Sequence, residues 1–447
     1  MPDNLTSLSQ AELIRIIYEQ HDHIQALERQ VAELKAQADR QGPPKPPMWV
    51  KANVPSKPKK TRQRRQHGYA RKCDVPTKQV YHAFEACPDC GGQLGAGSIG
   101  YKRQVIELPE VPVAVTEHIV LKRYCFACKR RVMPKVNLSA VVVGQQRLGI
   151  RLMSTIGFLR QRCRLPLNLI QVYLSGIYKL HVSEGALVKV LDRTATKGEE
   201  QYNKLKDQVR ASPVVYGDET GNRQCGKNGY DWSFSTPEVH YLTYRKTRSQ
   251  VVVEEVLGEV FEGVLVSDFY SSYNTYEGFH QRCWVHYLRD MHKLTQDHKD
   301  NEQVQQWAQA IHALYTEATD WQGPAADLPI GIQHQQRIDK QHELEGKLQA
   351  LCEPWVATNT PMAGLASRGM RFLPELFTFV RFTGVEPTNN RAERMVRPTV
   401  VQRKISGGTR SEKGSKTRTI LTSLFDTWHL QGKDPLKECQ LLLAACQ

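Results

Sequence analysis

The 447-residue sequence has no apolar run long enough to cross a bilayer, which excludes a helical membrane span. Its first residues, "MPDNLTSLSQAEL", lack a basic segment followed by an apolar one, so no signal peptide is expected. The even cysteine count of a secreted disulfide framework is also missing. There are eleven cysteines, four of them in two CxxC pairs and the rest scattered, a pattern that suits a reduced compartment and a metal site. Acidic residues are in short supply: 46 Asp and Glu stand against 61 Lys and Arg, a formal net charge of +15. Such a balance points to a polyanionic partner, nucleic acid first and an anionic membrane surface second. The length suits roughly two to four folded units.

Residues 1–40 contain one helical pattern. Ile17, Ile24 and Val31 recur every seven residues, Leu13, Leu27 and Leu34 fill the partner positions, and Gln20 is the polar exception. This is the a/d seam of a short coiled coil, which predicts self-association as a homodimer; an amphipathic helix packed on its own chain is the alternative. Residues 41–77 are Pro-rich, then Lys/Arg-rich, without apolar period. They form a linker whose basic run, with Arg62, Arg64 and Arg65, can lie along a phosphate backbone. In residues 78–140, "CPDCGG" carries Cys87 and Cys90 and "CFACKR" carries Cys125 and Cys128. Each CxxC aims two thiolates at one ion, and four thiolates close a tetrahedral Zn²⁺ site, so this region is a candidate zinc ribbon. The stretch "YKRQVIELPEVPVAVTEHIVLKRY" between the knuckles alternates enough to predict two strands. Residues 141–211 are helical in pattern. A helix from Leu167 to Ser175, a break near Gly176 and an N-cap at Ser183 predict either a DNA-binding helix-turn-helix or a generic helical hairpin.

From residue 212 to 447 the pattern changes. "PVVYGDET" predicts a short strand ending at Asp218, Glu219 and Thr220; "YDWSFST" and "VHYLTYR" predict the second and third strands. An amphipathic helix, "SQVVVEEVLGEVF", leads to a buried strand, "GVLVSD", ending at Asp268, and "RCWVHYL" predicts a strand or strand-to-helix junction. Three meandering strands, a helix and another core strand is the order of a ribonuclease-H-like fold, in which the first and fourth strands adjoin. Asp218 and Asp268 would then be neighbours, a costly pairing unless a cation such as Mg²⁺ or Mn²⁺ neutralises it. In "PTNNRAERMVRP", Thr388 or Asn389 can cap a helix presenting Glu393 in its second turn as a third ligand, ringed by Arg391, Arg394 and Arg397 for phosphate contact. Glu219 is excluded as a ligand beside Asp218, because adjacent strand residues point to opposite faces. Residues 295–380 predict a helical insertion, and "ISGGTRSEKGSKTR" a Gly/Lys/Arg loop.

The order of these segments, with "GDET", "VSDFYSSY", "CWVHYLRDM", "TNNRAERMVRP" and "GKDPLKECQLLL", resembles the transposases of the insertion sequence 66 family, which carry an Asp-Asp-Glu triad. The resemblance implies that Asp218, Asp268 and Glu393 bind the catalytic metals and that Cys283, His286 and Arg289 support the site. Leu288 departs from the family, which often has a basic residue there. The expectation is therefore a multidomain α+β protein: a bacterial cytoplasmic DNA transposase that binds double-stranded terminal inverted repeats, cuts element ends and joins the 3′-hydroxyl to target DNA. Small companion proteins of the same element are candidate partners. A non-catalytic DNA-binding regulator and a structure-specific nuclease on the same fold are the competing readings.

Overall fold

The computed structural model describes residues 74–274 and 276–445, with Gln20, Ile24, Gln25, Leu27, Glu28 and Val31 of the N-terminal segment. Those six positions are helical, and Ile24, Leu27 and Val31 are about half exposed. Leu13, Ile17, Leu34 and the basic run with Arg62, Arg64 and Arg65 lie outside the described residues.

The chain divides into two units, Met1–Leu108 and Pro109–Gln447. In the first, the turn at Cys87 is closed by an antiparallel bridge between Ala86 and Gln93 and by hydrogen bonds from Cys87 N to Gly92 O (3.0 Å) and Gly91 N to Cys87 O (2.8 Å). The second begins with its own knuckle: β1 (Arg123–Cys125) pairs antiparallel with β2 (Arg130–Val132). The two strands expected between the knuckles do not form; residues 94–122 carry no strand. Their alternating apolar side chains, among them Val105, Leu108 and Val115, are exposed, so the period-2 pattern has no core to select it.

Three helices follow, α1 (Ile150–Gln161), α2 (Leu167–Tyr178) and α3 (Glu184–Arg210). The predicted cap holds: the Ser183 hydroxyl accepts from Ala186 N at the start of α3. The predicted break moves, because Gly176 stays inside α2 and the chain turns at Lys179, which takes a left-handed conformation (φ 55°). α3 is 27 residues long and buries Leu187, Val190, Leu191, Tyr202 and Val209 in a core shared with the sheet.

The sheet has five strands in the order β5-β4-β3-β6-β7: β3 (Val214–Gln224), β4 (Lys227–Ser235), β5 (His240–Arg245), β6 (Phe261–Ser267) and β7 (Gly278–Arg282). The first three form an antiparallel meander; a short helix, α4 (Val251–Leu257), returns the chain so that β6 runs parallel to β3 and β7 parallel to β6. The molecule is thus a mixed α+β protein. The first strand does not end at Asp218–Thr220 as expected; it continues to Gln224 against β4.

Both faces of β3 and β6 are covered. Val215 and Leu265 face the core formed with α1–α3. Val214, Tyr216, Val264 and Val266 face a smaller core with Val385 and Ala392. The chain then leaves the sheet for an all-helical insertion, α5 (Trp284–Asp297), α6 (Glu302–Asp320), α7 (Ile330–Val356), α8 (Ala363–Arg371) and α9 (Leu373–Arg381), built on its own apolar cluster around Trp284, Ile311, Leu348 and Phe377. It returns in α10 (Asn390–Ser406), α11 (Glu412–Leu430) and α12 (Pro435–Ala444).

The expected Gly/Lys/Arg loop after α10 is much shorter than its composition suggests, since Ser411 caps α11 through Gly414 N and the helix starts at Glu412. What remains is pinned to the sheet by hydrogen bonds from Thr409 N to Arg223 O (2.8 Å) and from Cys225 N to Thr409 O (2.9 Å). Gly408 sits there at φ +98°, and a Cβ on it would overlap the Arg223 carbonyl oxygen. Gly408→Ala is expected to cost about 3 kcal/mol through strain at this crossing. Urea unfolding of both proteins measures it, and an unchanged midpoint would refute the close approach.

Candidate active site

Strand register builds the site. The last β3–β6 pair is Tyr216 with Val266, and Asp218 and Asp268 each lie two residues further along. Alternation places both on the face of Tyr216 and Val266, toward α10. Asp218 Oδ1 accepts from Glu219 N (2.9 Å), and Asp268 Oδ1 accepts from Tyr270 N (2.9 Å). Burial, reinforced by the nearby carboxylates of Glu219, Asp268 and Glu393, pushes the Asp218 carboxyl up to about 8. The three predicted ligands are therefore within electrostatic reach of one another. As arranged, no group of three His, Cys, Asp or Glu among the described residues stands close enough to hold a metal ion. The donor set nonetheless fits a divalent cation: neighbouring acid groups, one held protonated by burial and by the charge of the others, lose their mutual repulsion when a cation joins them.

Glu219 points the other way, as alternation requires. It is buried and accepts from Tyr273 Oη (2.7 Å) and Arg248 Nε (2.9 Å), and burial raises its pKa. Arg248 in turn lies 3.5 Å over the Tyr270 ring.

Glu393 reaches the site from α10, in its first turn and not the second. Asn389 begins this helix without capping it through its side chain. Its Nδ2 donates to Gly217 O (2.7 Å), one residue before Asp218, and its backbone N donates to Cys283 Sγ (3.1 Å). Cys283 is itself fixed, its N donating to Ser267 O (2.9 Å) beside Asp268; it is fully buried, and burial pushes its thiol pKa up. Cys283 thus joins the end of β6 to the start of α10, a positioning role. It also starts α5, so the strand-to-helix junction stands as read. His286 lies on the first turns of α5 with Nε2 3.7 Å from Glu393 Oε1, while Arg289 is exposed on the same helix. Arg391 does not ring Glu393: it pairs with Glu386 (2.9 Å) and covers Tyr216. Arg394 and Arg397 are exposed.

Two buried groups escaped sequence reading. Arg282 is fully buried, paired with Glu375 of α9, and donates to Asp268 O (2.8 Å), Ser267 Oγ (3.2 Å) and Tyr273 O (3.3 Å). Beneath the sheet, Ser233 Oγ lies 2.9 Å from His240 Nε2 and Asp426 Oδ2 lies 3.0 Å from His240 Nδ1. These three have the connectivity of a hydrolytic triad. Ser233 and His240 are wholly buried and Asp426 is nearly so, which makes the group a structural tie between β4, β5 and α11.

The two knuckles lie in different units, and their four cysteines are free thiols. Cys128 N points at Cys125 Sγ (3.4 Å). The backbone N–H of Asp89 lowers the pKa of Cys87, and that of Cys128 lowers the pKa of Cys125, which favours the thiolates that a metal needs.

A mixed α+β chain with gathered carboxylates and two cysteine knuckles is the class that these features define. The model of the transposase IS66 family matches residues 146–417, and that of the zinc-finger binding domain of transposase IS66 matches residues 85–129. The chain belongs to the transposase IS66 family. No curated protein matches it. Cys87→Ser is expected to abolish zinc binding, from about one ion per chain, and to unfold the knuckle region. Elemental analysis of freshly reduced protein tests this, and wild-type protein without zinc would contradict it.

Proposed function

We propose that the chain is a DNA transposase that cuts the phosphodiester bond at the ends of its element and joins the freed 3′-hydroxyl to target DNA. The observation carrying this reading is the register of β3 and β6, which sets Asp218 beside Asp268 on the face that α10 covers with Glu393. The strand order 3-2-1-4-5 with parallel fourth and fifth strands supports a ribonuclease-H-like catalytic core.

Asp218, Asp268 and Glu393 would hold Mg²⁺ or Mn²⁺, which supplies activation of the attacking oxygen and stabilisation of the leaving oxygen. Arg282 holds the backbone of Asp268, Asn389 holds that of Gly217, and Cys283 fixes the helix that carries Glu393. His286 orients Glu393 from the side of α5. The exposed Arg394 and Arg397 contact phosphates beside the cut, with Arg391 completing the basic edge when its pairing with Glu386 opens. The zinc ribbon, the basic linker and α1–α3 recognise the terminal inverted repeats, and the N-terminal helix, with Ile24, Leu27 and Val31 exposed, pairs two copies. No helix among the described residues is long and apolar enough to cross a membrane. Acting on the element's DNA places the protein in the bacterial cytoplasm.

The test is incubation of the purified protein with labelled DNA from the element's own ends. Cleavage that requires Mg²⁺, stops with chelator and leaves a 3′-hydroxyl is the expected result. Binding without cleavage under all divalent conditions would favour the regulator reading instead.

A further inference from the structure

A cleft of about 540 Å³ opens beside Asp268 and His286 and extends onto the helical insertion, whose lining residues have no part in the mechanism above. Asp268 and Phe269 form one wall, His286 another, and Arg368, Arg371 and Phe372 of the helical insertion the third. α8 brings the arginines there by packing closely on α5. Tyr287 Oη donates to Leu365 O (2.9 Å), and a Cβ on Gly369 would lie 2.7 Å from that same hydroxyl, so glycine lets the helices approach. With Leu365, Ala366 and Gly369 buried, Arg368 and Arg371, three residues apart, share the face toward the cleft.

The cleft has two chemistries. The half-buried Phe269 gives the apolar aromatic surface, braced edge to face (centroids 5.3 Å apart) by Phe372, which is buried beneath it. Cations stand over it: Arg368 Cζ is 5.3 Å from the Phe269 ring centroid and Arg371 Cζ 5.2 Å from that of Phe372. Arg368 is paired with Asp290 (2.6 Å), but both are partly exposed, so the pair is weak and exchanges readily for a phosphate. Arg371 has no carboxylate partner among the described residues. An aromatic floor under two guanidinium groups suits a base and its phosphate. The volume admits a small ligand and excludes a duplex.

We propose that this cleft holds one unpaired nucleotide of the DNA strand adjoining the scissile phosphate, its base against Phe269 and its phosphate on Arg368 and Arg371. The assignment rests on the transposase reading and adds to it a requirement: the end of the element must open before it is cut. The insertion is then the device that holds it open, and Asp268 links the subsite to the metal-binding carboxylates.

The experiment uses the full chain carrying Asp218→Asn, so that DNA is bound and not cut, and element-end duplex with 2-aminopurine in place of a base beside the scissile phosphate. Its fluorescence is expected to rise severalfold on binding, as the base leaves the stack. Adding Arg368→Ala and Arg371→Ala is expected to remove that rise while a gel shift still reports bound duplex. In the cutting-competent background the same pair is expected to slow cleavage about tenfold, as loss of a charge-assisted contact does, and Arg371→Lys to restore part of it. Both arginines are at least partly exposed, so folding is not at stake. Cleavage by the wild type with no fluorescence change on binding overturns the cleft assignment alone, as does a rise that survives loss of both arginines. Absence of cleavage by the wild type overturns the transposase reading and the cleft with it.

Discussion

Asp218→Asn, Asp268→Asn and Glu393→Gln are each expected to lower end cleavage and strand joining on the order of 1,000-fold while leaving binding to element-end DNA intact. Each variant keeps shape and removes one anionic ligand, and a metal ion's stabilisation of charge at phosphorus amounts to several kcal/mol. Cleavage and joining should fall together, because one group of carboxylates serves both. A gel shift beside the cleavage assay separates chemistry from binding. Asp218→Asn has a second signature in the metal-free protein. The folded state holds the Asp218 proton up to about pH 8, well above the ordinary value. The stability this contributes is full below about pH 4, falls as the pH climbs, and is gone above 8. The amide that replaces the carboxyl cannot titrate, so the variant should lose this decline in melting temperature, a difference of a few degrees at alkaline pH. Mg²⁺ competes with that proton, so adding it below pH 8 should release protons from wild type and fewer from Asp218→Asn. Equal release from both would remove Asp218 from the metal site.

Arg282→Met is expected to destabilise the chain by about 3–5 kcal/mol, chiefly the cost of leaving buried carbonyl acceptors without a donor. The side chain fits the space, but Glu375 loses its ion pair and Asp268 O and Tyr273 O lose their donor. The thermal unfolding midpoint should fall by roughly five degrees. Glu375→Gln should cost less, because Glu375 is partly exposed and Arg282 keeps its carbonyl acceptors. The double variant should cost less than the two single costs added together. Full additivity would mean that the two side chains are not coupled.

Much of the sheet was legible because strands announce themselves locally. The meander of β3, β4 and β5, the return through α4 and the burial of β6 follow from apolar runs and alternation. Their order brings Asp218 and Asp268 together. Ser183 was legible as a cap because capping is a short-range hydrogen bond. What failed depended on distant partners. The alternating residues between the knuckles look like strands but have nothing to pack on. Gly176 looks like a break, yet it is exposed in a helix held by Ile170 and Leu174, which tolerates it. The lysines and glycines after α10 look like a loop, while Ser411 and the buried face of α11 impose a helix. Arg391 carries the same charge as Arg394, and only tertiary structure assigns it to Glu386. Arg282 was missed because an arginine next to "CW" reads as surface until β7 is placed at the edge of the sheet under α9.

The central claim is that the three carboxylates direct a 3′-hydroxyl at phosphorus, and a joining assay with pre-cut ends tests it most directly. Element-end DNA with an exposed 3′-hydroxyl, supplied with target DNA and Mg²⁺, should be joined by the wild-type protein, and the same DNA ending in a 3′-deoxy nucleotide should not. Cutting of target DNA without joining, or joining that ignores the missing hydroxyl, would contradict the account.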